Sequence, residues 1–232
     1  MAIRSEEKSF LTYARTAGVL YLIIIACGLF SEVYVRAGLI VPGDATATAD
    51  NISASEFLFR VGFVSDLVAF LSDVAVAVLF YVLLRPVSKA VSLVTAGFRL
   101  TGTAIYGVNL LNHFAALLLL NGGDYLAPFD PGQINALALF FLELHGHGYD
   151  LGLVFFGLHC LGLGYLFFRS DLFPRVLGVL MVLASFGYII GSTTLFLFPG
   201  QADAVAPVYI APLIGEVALC LWLIIKGVRT PS

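Results

Sequence analysis

Six long apolar stretches, separated by short segments that hold most of the charge, constrain this chain more than any other feature. The 232 residues are 60% hydrophobic and only 12% charged, and mean hydropathy is +0.99. A soluble domain carries about a quarter charged residues. A span of the hydrocarbon core needs about 20 apolar residues at 1.5 Å each. Charges and prolines bound six candidates: Thr16–Val35, Phe57–Leu84, Val91–Leu120, Ile134–Phe168, Val176–Phe198 and Val208–Ile225. The expected fold is an all-α polytopic bundle of six spans, forming a single integral membrane domain over residues 1–232.

Basic residues orient the spans. Arg4, Lys8 and Arg15 precede the first; Arg85 and Lys89 join the second and third; Arg169 and Arg175 join the fourth and fifth; Lys226 and Arg229 follow the sixth. The loops that begin near Asp44, Asn121 and Pro199 hold no lysine or arginine. The positive-inside rule then puts both termini in the cytoplasm of a multi-pass cell-membrane protein. Arg36 breaks the pattern, and at an outer interface it is expected to snorkel. The first apolar run follows basic residues as a signal peptide would, but five more runs favour a retained helix. Cys27, Cys160 and Cys220 are too far apart for a CxxC site and read as packed or lipid-facing thiols. The charges are too few and too scattered to form a nucleic-acid footprint, and no nucleic-acid partner is expected. The expected partners are membrane lipids, a lipid or small amphipathic substrate, and a second copy of the chain in a homo-oligomer.

Polar residues inside the spans carry the functional information, because an intramembrane charge costs several kcal/mol unless it is paired, hydrated or neutralised. Counting from the cytoplasmic anchors places Asp73, His159 and Glu216 near mid-depth, with Asp66 and Arg60 farther out. Asn109, Asn112 and His113 share a helical face, as do Asp66 and Asp73. The stretch LELHGHGYD from Leu142 concentrates Glu143, His145, His147 and Asp150. On a regular helix the two histidines point about 200 degrees apart, so the convergence of His145 and His147 requires a break at Gly146 or Gly148. His147 and Asp150 are spaced for a histidine–carboxylate pair. Arg60 and Arg99 are the available counter-charges for Asp66 and Asp73. Pro212, before Glu216, could open the backbone of the last span. Ser192, Thr193 and Thr194 read as hydroxyls bonded to backbone.

These residues admit three functions. An intramembrane enzyme, such as a hydrolase acting on a lipid, would use His145, His159, Asp73 and Asp150 for catalysis in a pocket open to the outer face. It would bind substrate with Arg60, Arg99, Asp66, Asn109, Asn112, His113 and Glu216. A divalent transition metal such as zinc, if bound, would take His145, His159 and Asp73 and activate water. A proton-coupled transporter would use Asp73, Glu216 and His159. A non-catalytic binding or scaffold protein would use the same groups to fix helix register.

The chain resembles an uncharacterised family of bacterial multi-pass membrane proteins, domain of unknown function 4386. Four stretches carry the resemblance: RTAGVLYLIIIACGLFSEVYVRAGLIVPGDA from Arg15, SEFLFRVGFVSDLVAFLSDVAVAVLFYVLLRPV from Ser55, LHGHGYDLGLVFFGLHCLGLGYLFFRS from Leu144 and LFPRVLGVLMVLASFGYIIGS from Leu172. In the family pattern Arg60, Asp73, Arg99, His145, His159 and Arg175 look like recurrent positions. The resemblance implies the fold and no particular reaction. Membrane hydrolases of the alkaline ceramidase and adiponectin-receptor superfamily offer comparable histidine–zinc chemistry, but this chain lacks their C-terminal HxxxH and has six expected spans.

Overall fold

The computed structural model describes the backbone of residues 2–228 and the side chains of residues 9–228. Arg229 lies outside the described residues, and the side chains of Arg4 and Lys8 do too. Among the described residues, seven α-helices of at least 10 residues account for most of the chain. They are α1 (Ala2–Leu29), α2 (Ala45–Ala54), α3 (Glu56–Leu84), α4 (Lys89–Leu120), α5 (Pro131–Arg169), α6 (Arg175–Leu197) and α7 (Ile210–Ile225). Six helical segments are long and apolar enough to cross a membrane: Ser9–Leu39, Glu56–Leu84, Lys89–Leu120, Pro131–Arg169, Arg175–Leu197 and Pro199–Ile225.

Local chemistry explains the boundaries. Pro131 starts α5 at a position whose N–H would be unbonded anyway. Ahead of it, the Asp130 N–H donates to the Gln133 side chain at 3.0 Å, one half of a capping box. Pro174, extended at φ −70° and ψ 141°, precedes α6. The segment after Asp44, expected as a loop, folds as α2 because the Asp44 carboxylate accepts the Ala47 N–H at 2.9 Å and caps the helix. Pro212 is only the third residue of α7. Its missing donor falls in the first turn, directly after a 3-10 segment, Ala206–Tyr209, and the α-helix then runs unbroken past Glu216 to Ile225.

Two departures concern α1 and α5. The first span continues beyond α1 as a π-helical stretch, Phe30–Arg36, before a last α-turn, Ala37–Leu39. The wider turn changes which faces Ser31 and Arg36 present, and π segments of this kind recur at functional sites. By contrast, α5 runs through Gly146 and Gly148 without a break. His145 is therefore buried while His147 is exposed on another face.

The chain forms two compact units. The first takes the residues up to Leu22, Ser72–Thr103 and the chain from Asp150; the second takes Ile23–Leu71 and Ala104–Tyr149. Helices α1, α3, α4 and α5 each supply one segment to each unit. The second unit has an apolar core of Val35, Leu39, Ile52, Phe59, Ala116, Leu117, Ala138 and Leu142.

Candidate functional site

Arg99 organises the polar interior of the first unit. Its side chain is fully buried, and Nη2 pairs with Asp73 Oδ1 at 2.5 Å. The other Asp73 oxygen accepts the Thr103 hydroxyl. Nη1 lies 2.9 Å from His159 Nε2, and His159 Nδ1 lies 2.9 Å from the Thr95 carbonyl. A carbonyl can only accept, so Nδ1 carries the imidazole proton and Nε2 accepts from the guanidinium. The ring faces of Tyr21 and Phe156 lie 5.0 and 4.9 Å from the guanidinium carbon, in the range of cation–π attraction. Arg99 Nε alone of its nitrogens is buried with no hydrogen bond.

Glu216 and Asp150 also belong to this unit. Glu216 accepts hydroxyls from Tyr188 and, at 3.3 Å, from Tyr21. Asp150 Oδ1 accepts from Tyr209 at 3.1 Å and from Ser192 at 3.4 Å. Ser192 thus bonds a carboxylate, not the backbone expected for it, whereas Thr193 does bond its own helix, at Ile189 O.

The second unit pairs a different arginine. Arg36 is buried, with Nη1 2.5 Å from Asp66 Oδ2 and Nε 2.8 Å from the exposed Glu32 carboxylate. The expectation of a snorkelling Arg36 is thereby corrected, because the π segment turns it toward Asp66. The expected pairing of Arg60 with an aspartate is corrected as well: Arg60 is exposed and bonds Glu56, with Nη2 at 2.6 Å. An i, i+4 spacing was visible in both Glu32–Arg36 and Glu56–Arg60. Nothing in the sequence showed which arginine would also reach Asp66.

Asparagine and histidine complete the second unit. Asn109 Nδ2 donates to the His145 carbonyl at 2.7 Å, and Asn112 donates to Asn109 at 2.9 Å. The His145 ring offers Nδ1 to the Asn109 carbonyl at 3.2 Å. A Cβ on Gly148 would run into the Asn109 amide, while a Cβ on Gly146 would meet nothing within 4 Å. Gly148 therefore serves close approach of α4, and Gly146 has no such task. The exposed His147 places Nδ1 2.8 Å from the Glu143 carbonyl of its own helix. His113 stacks on Phe59 at 4.0 Å, donates Nε2–H to the Phe59 carbonyl at 3.4 Å, and meets the His145 ring edge-on at 5.6 Å. Its Nδ1 is buried without a hydrogen-bond partner. Beside it lies a cavity of about 250 Å³ lined by Phe59, Arg60, Phe63, Val64, Phe114 and His113, with Leu117.

Of the residues expected to act, Asp73, Arg99 and His159 form one network in the first unit, which also contains Glu216 and Asp150. Asp66, Asn109, Asn112, His113 and His145 belong to the second unit, as does Arg60 at the cavity. The described residues contain no group of three or more His, Cys, Asp or Glu placed to hold a metal ion. Between Asp73 and His159 the bridging cation is the Arg99 guanidinium. Sequence reasoning overlooked Tyr21, Tyr188 and Tyr209. Their partners are 195, 28 and 59 residues away, so no spacing rule could have linked them.

Apolar surfaces long enough to span a membrane, wrapped around buried ion pairs, define a polytopic integral membrane helical bundle. A family model described as a domain of unknown function (DUF4386) matches residues 16–227, and the chain belongs to that family. An uncharacterised protein of Archaeoglobus fulgidus is 36% identical over 155 residues, covering 67% of this chain and 76% of that protein. The relative is archaeal, which widens the bacterial range expected from the resemblance. No solved structure matches.

Proposed function

We propose that the protein is a membrane-embedded binding protein for a lipid-like amphipathic molecule, received by the second unit in the cavity beside His113. The cavity is the observation that carries this reading: three phenylalanines supply apolar wall, one imidazole supplies polarity, and Val64 on the rim is 54% exposed. At about 250 Å³ it is smaller than the roughly 300–1,000 Å³ of pockets that enclose drug-sized ligands. It suits a head group and the first carbons of a chain whose remainder lies in the bilayer. The positive-inside pattern supports cytoplasmic termini and one integral membrane domain, and it turns the Phe59–His113 end of α3 and α4 toward the outer face.

The hydrolase version has less support. Both Asp73 oxygens and both His159 nitrogens are committed within the bundle, which suits a group that fixes helix register better than one that attacks a substrate. A proton-coupled transporter is the second reading. It is favoured by Glu216, an acidic group in a span whose two oxygens take tyrosine hydroxyls from α1 and α6. Proteoliposomes carrying Glu216→Gln would then lose substrate-driven proton uptake while remaining folded.

Native mass spectrometry of protein released from nanodiscs tests the binding reading. Wild type is expected to retain a lipid-like molecule that Val64→Trp, which plugs the cavity from its exposed rim, loses without a change in melting temperature. Equal retention by both proteins would remove the cavity from the function.

A further inference from the structure

The contacts around His113 and those around Arg99 follow one scheme, displaced by fourteen positions on each helix. On α3, Asp73 corresponds to Phe59; on α4, Thr95 and Arg99 correspond to Asn109 and His113; on α5, His159 and Gly162 correspond to His145 and Gly148. In both places the α5 histidine sets Nδ1 against the carbonyl of the α4 residue. In both, the α5 glycine three residues later makes room for that same α4 side chain, Thr95 or Asn109. Fourteen residues are two heptads, the period after which supercoiled helices repeat their contacts.

The repeat shows what the second unit lacks. In the first unit Arg99 fills the space between its neighbours and donates to Asp73 and His159. In the second unit the shorter His113 stands at the corresponding position. It spends its one N–H on the Phe59 carbonyl, and what remains is a lone pair on Nδ1 with no donor. An unbonded buried polar atom of this kind is destabilising. The other polar lining residue, Arg60, is paired with Glu56.

We infer that the molecule bound beside His113 carries an uncharged hydroxyl head, which donates its hydrogen bond to His113 Nδ1 while its hydrocarbon stem packs on Phe59, Phe63 and Phe114. An acceptor nitrogen repels a carboxylate or phosphate oxygen, so an anionic head group is selected against. A long-chain alcohol fits this chemistry. The inference rests on the binding reading above and names the class of molecule that the same cavity takes.

The test uses the full chain in nanodiscs with ¹⁵N-labelled histidine, and dodecanol, dodecanoic acid and dodecane as probes. Dodecanol is expected to move the His113 Nδ1 resonance toward the hydrogen-bonded range, identified by its loss in His113→Phe, and dodecane and dodecanoic acid are not. His113→Phe should weaken dodecanol retention about three- to tenfold, the worth of one hydrogen bond, and leave dodecane retention unchanged. Val64→Trp should abolish the dodecanol response. If dodecanoic acid binds as well as dodecanol, or if His113→Phe retains dodecanol fully while Val64→Trp does not, the hydroxyl assignment is overturned and the binding reading survives. If no probe responds to Val64→Trp, the binding reading falls with it.

Discussion

The two buried arginine–aspartate pairs solve the same problem to different degrees. Arg99 and Asp73 expose 0% and 6% of their side chains, with aromatic faces on the guanidinium, a histidine on Arg99 Nη1 and a threonine on the second Asp73 oxygen. Arg36 and Asp66 are nearly as buried, at 9% and 4%, but the second arm of Arg36 reaches a glutamate that is 68% exposed. The first pair is closed on itself, and the second opens onto the protein surface in a unit that also has a cavity and an unbonded imidazole nitrogen. An ion pair within a membrane protein can thus be a fastening in one place and part of an accessible polar region in another. Burial of the pair alone does not tell which.

Removing the arginines tests that difference most severely. Arg99→Met leaves the Asp73 charge buried and unpaired, and the expected loss is about 3–5 kcal/mol, measured by unfolding in bicelles. Adding Asp73→Leu should recover most of it, since a packed apolar pair is often as stable as a buried ionic one. Arg36→Met should cost clearly less, because water or lipid head groups reach the open end of its network. Equal losses for the two arginine variants would erase the distinction.

The glycines of α5 give the next largest effects and probe the repeated scheme. Gly148→Ala and Gly162→Ala each drive a Cβ into an α4 side chain, and an overpacked helix contact costs about 1–3 kcal/mol. Gly146→Ala meets open space and should be neutral or gain up to about 1 kcal/mol in helix propensity. A large loss at Gly146, or none at Gly148, in the same unfolding assay would show that Asn109 does not dock on α5 as described. The smallest effect belongs to Glu32→Gln. Its carboxylate is mostly exposed, and an ion pair open to solvent contributes little. The melting temperature should stay within error, and a shift like that of Arg36→Met would mean that the second network is as closed as the first.

Much of this was legible in the sequence. The six spans followed from apolar length, and the shared face of Asn109 and His113 followed from helical spacing; both side chains are buried. The separation of His145 from His147 followed from the same geometry once no break intervened at Gly146 or Gly148. The role of Gly148 was not legible, because it depends on where the Asn109 side chain of another helix lies. Nor was the partner of Asp66, since the π stretch that turns Arg36 inward has no marker in FSEVYVR.

By itself the sequence determined an all-helical membrane bundle and the polar residues that its interior must accommodate, because hydrocarbon leaves apolar length and backbone satisfaction almost no other solution. Only the tertiary structure decided how those residues combine. Asp73 took Arg99 and His159, Asp66 took Arg36, Glu216 took two tyrosines, and His113 was left with an unmatched nitrogen. Such pairings depend on helix register and on a fraction of a turn of rotation, and every one of them joins helices whose contact positions are far apart in the chain.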